Sequence, residues 1–120
     1  MRTIKLLGFK MNLDDLINSI TEVELKESLP HFVLEWKANE KDVMNLAILI
    51  ERWLGSVWFK STDESNSFYV SFNMFKREAI DGIGGLTFNE RLYLFSFFNE
   101  WDSSNEKAQQ RIRCKLQAKT

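Results

Sequence analysis

Residues 57–75 read Val57-Trp58-Phe59-Lys60, then Ser61-Thr62-Asp63-Glu64-Ser65-Asn66-Ser67, then Phe68-Tyr69-Val70-Ser71-Phe72-Asn73-Met74-Phe75. The reading of this stretch decides the fold class. Its ends are rich in aromatic and β-branched residues, and its middle is polar and turn-prone. Phe68, Val70, Phe72 and Met74 occupy alternate positions, with Tyr69, Ser71, Asn73 and Phe75 between them. That alternation predicts a strand with one half-wet side, and the whole stretch predicts a β-hairpin with a long tip.

Toward the N-terminus, Phe32, Leu34 and Trp36 alternate within His31–Lys37, which predicts another strand. Pro30 precedes it and is expected to close the helix before it. That first helix opens at Asn12 and buries Leu13, Leu16, Ile17 and Ile20, spaced i, i+3, i+4, i+7. Residues 2–9 read as a short first strand, weakened by Gly8. Asn39, with Asp42 three residues on, is expected to cap a helix over residues 43–54 that is apolar nearly all round and hence central. Gly55 is placed to end it.

Toward the C-terminus, Asp81-Gly82-Ile83-Gly84-Gly85 is a glycine-rich connection. Thr87 and Glu90 form a capping box for a third helix, and Ser103 with Glu106 forms another for the last one. In the last helix Ala108, Ile112 and Leu116 make a narrow apolar stripe, so its basic groups are expected in water. The predicted order is an uncertain first β followed by α-β-α-β-β-α-α. This is an α+β fold: a small antiparallel sheet of three or four strands with four helices packed over it. One domain spans residues 1–120, with 107–120 as a basic C-terminal helix at its edge.

Composition narrows the function classes. Cys114 is the only cysteine, so an intramolecular disulfide and cysteine-rich zinc sites are excluded. A reducing compartment suits such a chain. Met1–Gly8 lacks the apolar run of a signal peptide, and no run reaches the length of a membrane span, so a cytoplasmic location is expected. Residues 1–106 hold eleven basic against seventeen acidic side chains, a net −6, and the last fourteen hold five basic and no acidic ones. The acidic body suits a basic protein partner.

No catalytic set assembles, and the expectation is a protein that is not an enzyme and carries no cofactor or metal. His31 is a lone histidine and Cys114 a lone thiol on a basic helix, without the partners that nucleophilic catalysis requires. Glu35 has no carboxylate paired with it in sequence. Gly82–Gly85 leads into a helix but lacks the Lys-Ser/Thr of a phosphate loop. Lys107, Arg111 and Lys115 lie at i, i+4, i+8 and offer a stripe for nucleic acid, which the body's charge opposes. The partner-binding residues expected from the acidic segments are Asp63, Glu64, Glu78, Asp81, Glu90, Glu100 and Asp102.

Leu86-Thr87-Phe88-Asn89-Glu90-Arg91-Leu92-Tyr93-Leu94-Phe95 and Phe97-Phe98-Asn99-Glu100-Trp101-Asp102 give the chain a resemblance to small cytosolic bacterial immunity proteins. These are the antitoxins of contact-dependent growth inhibition and related polymorphic toxin systems. The resemblance covers roughly the last third of the chain and implies a tight one-to-one complex with a toxin domain, often a nuclease. The alternatives are a dimeric secretion-type chaperone or adaptor, and a small nucleic-acid-binding regulator using the last helix.

Overall fold

The computed structural model describes residues 11–118, and among these it contains seven α-helices and no strand. We number them α1 (Leu13–Asn18), α2 (Val23–Ala38), α3 (Val43–Ser56), α4 (Thr62–Phe75), α5 (Phe88–Leu94), α6 (Phe98–Ser103) and α7 (Glu106–Lys115). The expected α+β architecture is therefore wrong: the described chain is all-helical. Of the expected strands, 31–37 lies inside α2 and 68–75 inside α4, while 57–60 is an irregular connection. The expected first strand at 2–9 falls outside the described residues.

The correction has a plain physical cause. In α2 the buried residues are Leu25, Leu29, Val33 and Trp36, at steps of four, four and three. That is one stripe of a helix, and it runs straight through Pro30. Proline deprives the interior of one N–H and clashes with the preceding turn, a cost of about 3 kcal/mol. Burial of the stripe outweighs it, since each large side chain removed from water contributes about 1.5–3 kcal/mol. In α4 the buried side chains are Phe68, Phe72 and Phe75, again at i, i+4, i+7. The Ser61 side chain caps this helix by accepting from the Glu64 N–H at 3.2 Å, and Asp63 and Glu64 lie in its positive first turn.

Local chemistry sets the other ends. Asn12 with Asp15, and Thr87 with Glu90, form complete capping boxes. Asp42, not Asn39, caps α3, accepting from the Met44 N–H at 3.0 Å; Asn39 instead ends α2. Asn105, not Ser103, caps α7, accepting from Ala108 N–H at 2.9 Å. Gly55 lies within α3, which buries one face only and leaves Met44 and Ile48 exposed.

Among the described residues, two that are not glycine have positive φ, Ser96 at 59° and Gln117 at 57°. Each follows a helix end in the same pattern. Phe97 N–H reaches back to Leu92 O at 2.8 Å and Ala118 N–H to Arg113 O at 2.9 Å. These closures consume carbonyls that the helix leaves free. Beyond α4, Lys76–Asp81 winds as a π-helix, which brings Lys76 to 4.0 Å from Asp81 five residues on. Gly82 ends it where an added Cβ would lie 2.9 Å from the Glu78 carbonyl oxygen.

Helices α2 and α3 form an antiparallel hairpin, and α1 packs on α2 and α4. The core is aromatic. Trp53 meets Phe68 at 5.5 Å and Phe59 at 6.2 Å, while Trp36 meets Phe97 at 5.7 Å and Phe95 at 6.2 Å between ring centres. Both buried indoles have partners for their N–H: Trp36 donates to Asp42 O and Trp53 to Ser28 Oγ, each at 2.8 Å.

Two carboxylates couple the entrances of α2 and α4 reciprocally. Glu64 accepts from the Thr21 hydroxyl and from the Thr21 and Glu22 N–H groups. Glu22 accepts from the Lys60 and Ser61 N–H groups, at 2.9 and 3.2 Å from its Oε2. The hydroxyl and amide bonds from Thr21 hold the Glu64 carboxyl below its ordinary pKa, against a smaller opposing effect of burial. The lowered value means that this stabilisation is complete above the unfolded glutamate pKa of about 4.3 and fades as pH falls through the folded one. Replacing Glu64 with Gln is expected to lower Tm by a few degrees near neutrality. Melting curves of the two proteins should converge as pH drops below about 4; a gap independent of pH would show that the carboxylate charge plays no part.

Candidate functional site

The connection between α3 and α4 carries the feature least expected of a folded core. Trp58 is 85% exposed, while Phe59 beside it is packed against the core. Phe59 ties the connection down against Trp53 and Phe68. The adjacent indole is thereby left on the outside. Next to it, Tyr69 on the outer side of α4 is 48% exposed.

Trp58 and Tyr69 flank a cleft of about 250 Å³. Leu54, Val57 and Phe59 line it as well, together with the hydroxyl-bearing Thr62 and Ser65. Among the described residues no charged side chain lines it. Among the described residues none of these hydroxyls, nor the Trp58 N–H, has a hydrogen-bond partner within the chain. Exposed aromatic rings beside apolar side chains, with unspent polar groups, are the makings of a binding hot spot.

A larger open groove, about 780 Å³, runs along α7. Lys107, Gln110, Arg111 and Cys114 line it, with Glu106 and, from the α2–α3 turn, Glu40. Its charges are mixed and it offers no aromatic anchor, so it is the poorer candidate despite its size.

The acidic residues expected to bind a partner occupy several places. Glu64 is engaged with the α2 entrance and Glu90 with the Thr87 N–H at 2.8 Å. Glu100 pairs with Lys37 at 2.8 Å, and Asp81 lies 4.0 Å from Lys76. Glu78 lines a small hollow with Met11, Ser71, Met74 and Phe75. Asp63 and Asp102 are exposed. Much of this acidity thus serves helix ends and internal pairs.

The basic stripe of α7 is broken. Lys115 is fully buried, its Nζ donating to Lys41 O at 2.7 Å and Asn39 Oδ1 at 3.1 Å, with the Trp36 ring centre 4.4 Å away. The expectation that the basic groups of this helix all stand in water fails here. Burial, assisted by the nearby Arg111 charge and opposed by Glu40 and Asp42, pulls the Lys115 pKa down to about 8. Arg113 lies 5.0 Å over the Trp101 ring, leaving Lys107 and Arg111 at the groove. Arg91 donates to the Leu116 and Gln117 carbonyls at 2.9 and 3.0 Å, closing the C-terminal end of α7.

His31 and Glu35 are exposed on α2, and Cys114 is exposed on α7. Among the described residues no group of three or more His, Cys, Asp or Glu side chains gathers as metal ligands. No helix there is long and apolar enough to cross a membrane. Ile83–Gly85 forms a 3-10 turn in which the Gly85 and Leu86 N–H groups donate to the Gly82 and Ile83 carbonyls. Compared with protein-family models, curated proteins and solved structures, the chain matches none.

The cleft residues escape a sequence reading because nothing local marks them. Val57-Trp58-Phe59 looks like a strand, and only the tertiary anchoring of Phe59 turns Trp58 outward. The available signal was the Ser61-x-x-Glu64 cap, which starts a helix and places Tyr69 on its outer side.

Proposed function

We propose that this chain is a protein-binding domain whose contact surface is centred on the cleft between Trp58 and Tyr69. The observation that carries the proposal is the 85% exposure of Trp58 beside an uncharged aromatic cleft. Tryptophan and tyrosine are enriched among the residues that dominate binding energies, and a fixed aromatic ring loses little entropy when it is covered.

The partner class implied by the immunity-protein resemblance is a toxin domain, and we retain it within the proposal. The resemblance itself indicates no surface, because Leu92, Leu94, Phe95 and Phe97 of that segment are core residues.

The test is Trp58→Ala. Its side chain is largely in water, so the substitution should change folding stability by no more than about 0.5 kcal/mol. Binding should weaken roughly 30-fold or more. Immobilised wild-type and W58A chains exposed to extract of the source cells should differ in what they retain, with calorimetry on the purified partner giving the affinity ratio. Equal retention of every captured protein would overturn the proposal. Where the captured partner is a toxin, co-expression of the wild-type chain, and not of W58A, should restore growth.

A further inference from the structure

The outward side of α4 is exposed from end to end, and its pattern complements itself. Asp63, Asn66 with Ser67, Val70, Asn73 with Met74, and Arg77 follow one another at steps of three and four and form one stripe. All are exposed, Val70 at 60% and Met74 at 46%. Arg77 stays on the stripe although the π-helix begins beside it, because Lys76 keeps α-helical dihedrals, φ −59° and ψ −46°. Charged residues make up 28% of the chain, yet Ser65–Phe75 holds none. Charge collects at the ends instead, acidic in the first turn and basic at Lys76 and Arg77. Among the described residues no ion pair involves Asp63 or Arg77. The side-chain hydrogen bonds of α4 there all belong to Glu64, which leaves Asn66, Ser67 and Asn73 unspent.

We infer that this stripe docks against the same stripe of a second copy of the chain, antiparallel, about a two-fold axis at Val70. A two-fold pair sets residue i of one copy against j of the other, and j against i. Asp63 and Arg77 each lie seven residues from Val70, so this register pairs Asp63 with Arg77 of the second copy at both ends. It also sets Ser67 against Asn73 and Asn66 against Met74, with Val70 on its own copy at the axis. Hydroxyl and amide each donate and accept, so Ser67 and Asn73 can satisfy one another. The uncharged middle suits the centre of an interface, where charge is depleted. A parallel pair would instead bring Asp63 onto Asp63 and Arg77 onto Arg77, so the charges select the antiparallel one. The surface that complements the stripe is thus the stripe reversed, and a second copy supplies it. A contact one helix wide lies at the small end of interfaces, so the dimer is weak, with a Kd of about 10–100 µM. The stripe is distinct from the cleft, since Tyr69 sits about 100° round the helix from Val70. The pairing is therefore independent of the protein-binding proposal.

Analytical ultracentrifugation of the full chain, from micromolar to millimolar concentration, should show reversible dimerisation. Val70→Lys sets two ammonium groups against each other at the axis and should weaken it roughly 30-fold or more, with circular dichroism unchanged. Asp63→Arg and Arg77→Asp each turn two symmetry-related ion pairs into repulsions, and each should weaken self-association about tenfold. An equimolar mixture of D63R and R77D should associate about as well as the wild type, because both end contacts are then again between opposite charges. W58A should dimerise as the wild type does.

A chain that stays monomeric at millimolar concentration would overturn the inference, as would a dimer that V70K leaves intact. So would a mixture of D63R and R77D that associates no more tightly than either variant alone, since Asp63 and Arg77 would then not meet across the axis. Dimerisation lost in W58A and kept in V70K would place the second copy at the cleft and overturn it too. A monomeric chain would leave the capture of another protein by the cleft untouched, because that reading is tested by W58A alone.

Discussion

Replacing Lys115 with alanine is expected to destabilise the protein by about 2–4 kcal/mol, the largest effect of any charged residue described. The side chain is completely enclosed, and its ammonium is held by two neutral acceptors and an indole face. Truncation leaves a cavity against Trp36, removes the Lys115 donor from Lys41 O, and leaves Asn39 Oδ1 with the Lys41 N–H at 2.8 Å. Lys115→Met fills the space without the charge and should cost less, about 1–2 kcal/mol, because the desolvation of an ammonium disappears along with its bonds. The pH profile separates charge from shape. With the folded pKa near 8 and an unfolded value of about 10.4, the unfolded chain holds more protons between those limits. Stability should therefore rise with pH across that window in the wild type relative to K115M. Urea titrations at pH 7, 9 and 10 would measure the difference. A constant difference would mean that Lys115 ionises in the folded protein as it does in water.

The fate of Lys115 illustrates what a sequence exposes and what it conceals. Helix ends are legible where a four-residue cap has no rival beside it, unlike Asn39 and Ser103, which yield to Asp42 and Asn105. Asn12 with Asp15 and Thr87 with Glu90 cap as expected, and Leu13, Leu16 and Ile17 are buried as their spacing requires, while Ile20, also buried, lies beyond the end of the helix. Lys115 sits beside Leu116 and looks like one more member of a basic stripe. Its burial depends on the C-terminal end of α2, some seventy-six residues away at Asn39. Trp58 is concealed for the same reason, as its exposure follows from where Phe59 docks. Acidic segments mislead in the other direction. Glu64, Glu90 and Glu100 look available, yet each is engaged inside the fold.

The mistaken strands have a more specific origin. Positions four apart satisfy both a two-residue and a 3.6-residue period. Phe68 with Phe72, and Phe32 with Trp36, therefore cannot distinguish strand from helix. The odd offsets decide. Phe75 lies three after Phe72, and Val33 lies three before Trp36; both are buried, as only a helix allows. Conversely Val70 and Met74, which a strand would bury beside Phe72, are 60% and 46% exposed. Phe72→Ala should accordingly cost about 3–5 kcal/mol, since it empties a core position stacked 6.4 Å from Phe68. Val70→Lys should change stability by no more than about 0.5 kcal/mol, as expected for an outward helical position. Phe75→Ala should resemble Phe72→Ala, its ring lying 5.5 Å from Phe95. If Val70→Lys instead matched Phe72→Ala while Phe75→Ala was mild, the period of two would be restored and the helical assignment of 62–75 would fall. Chemical denaturation of the three variants thus tests the fold at the stretch that determines its class, independently of any partner.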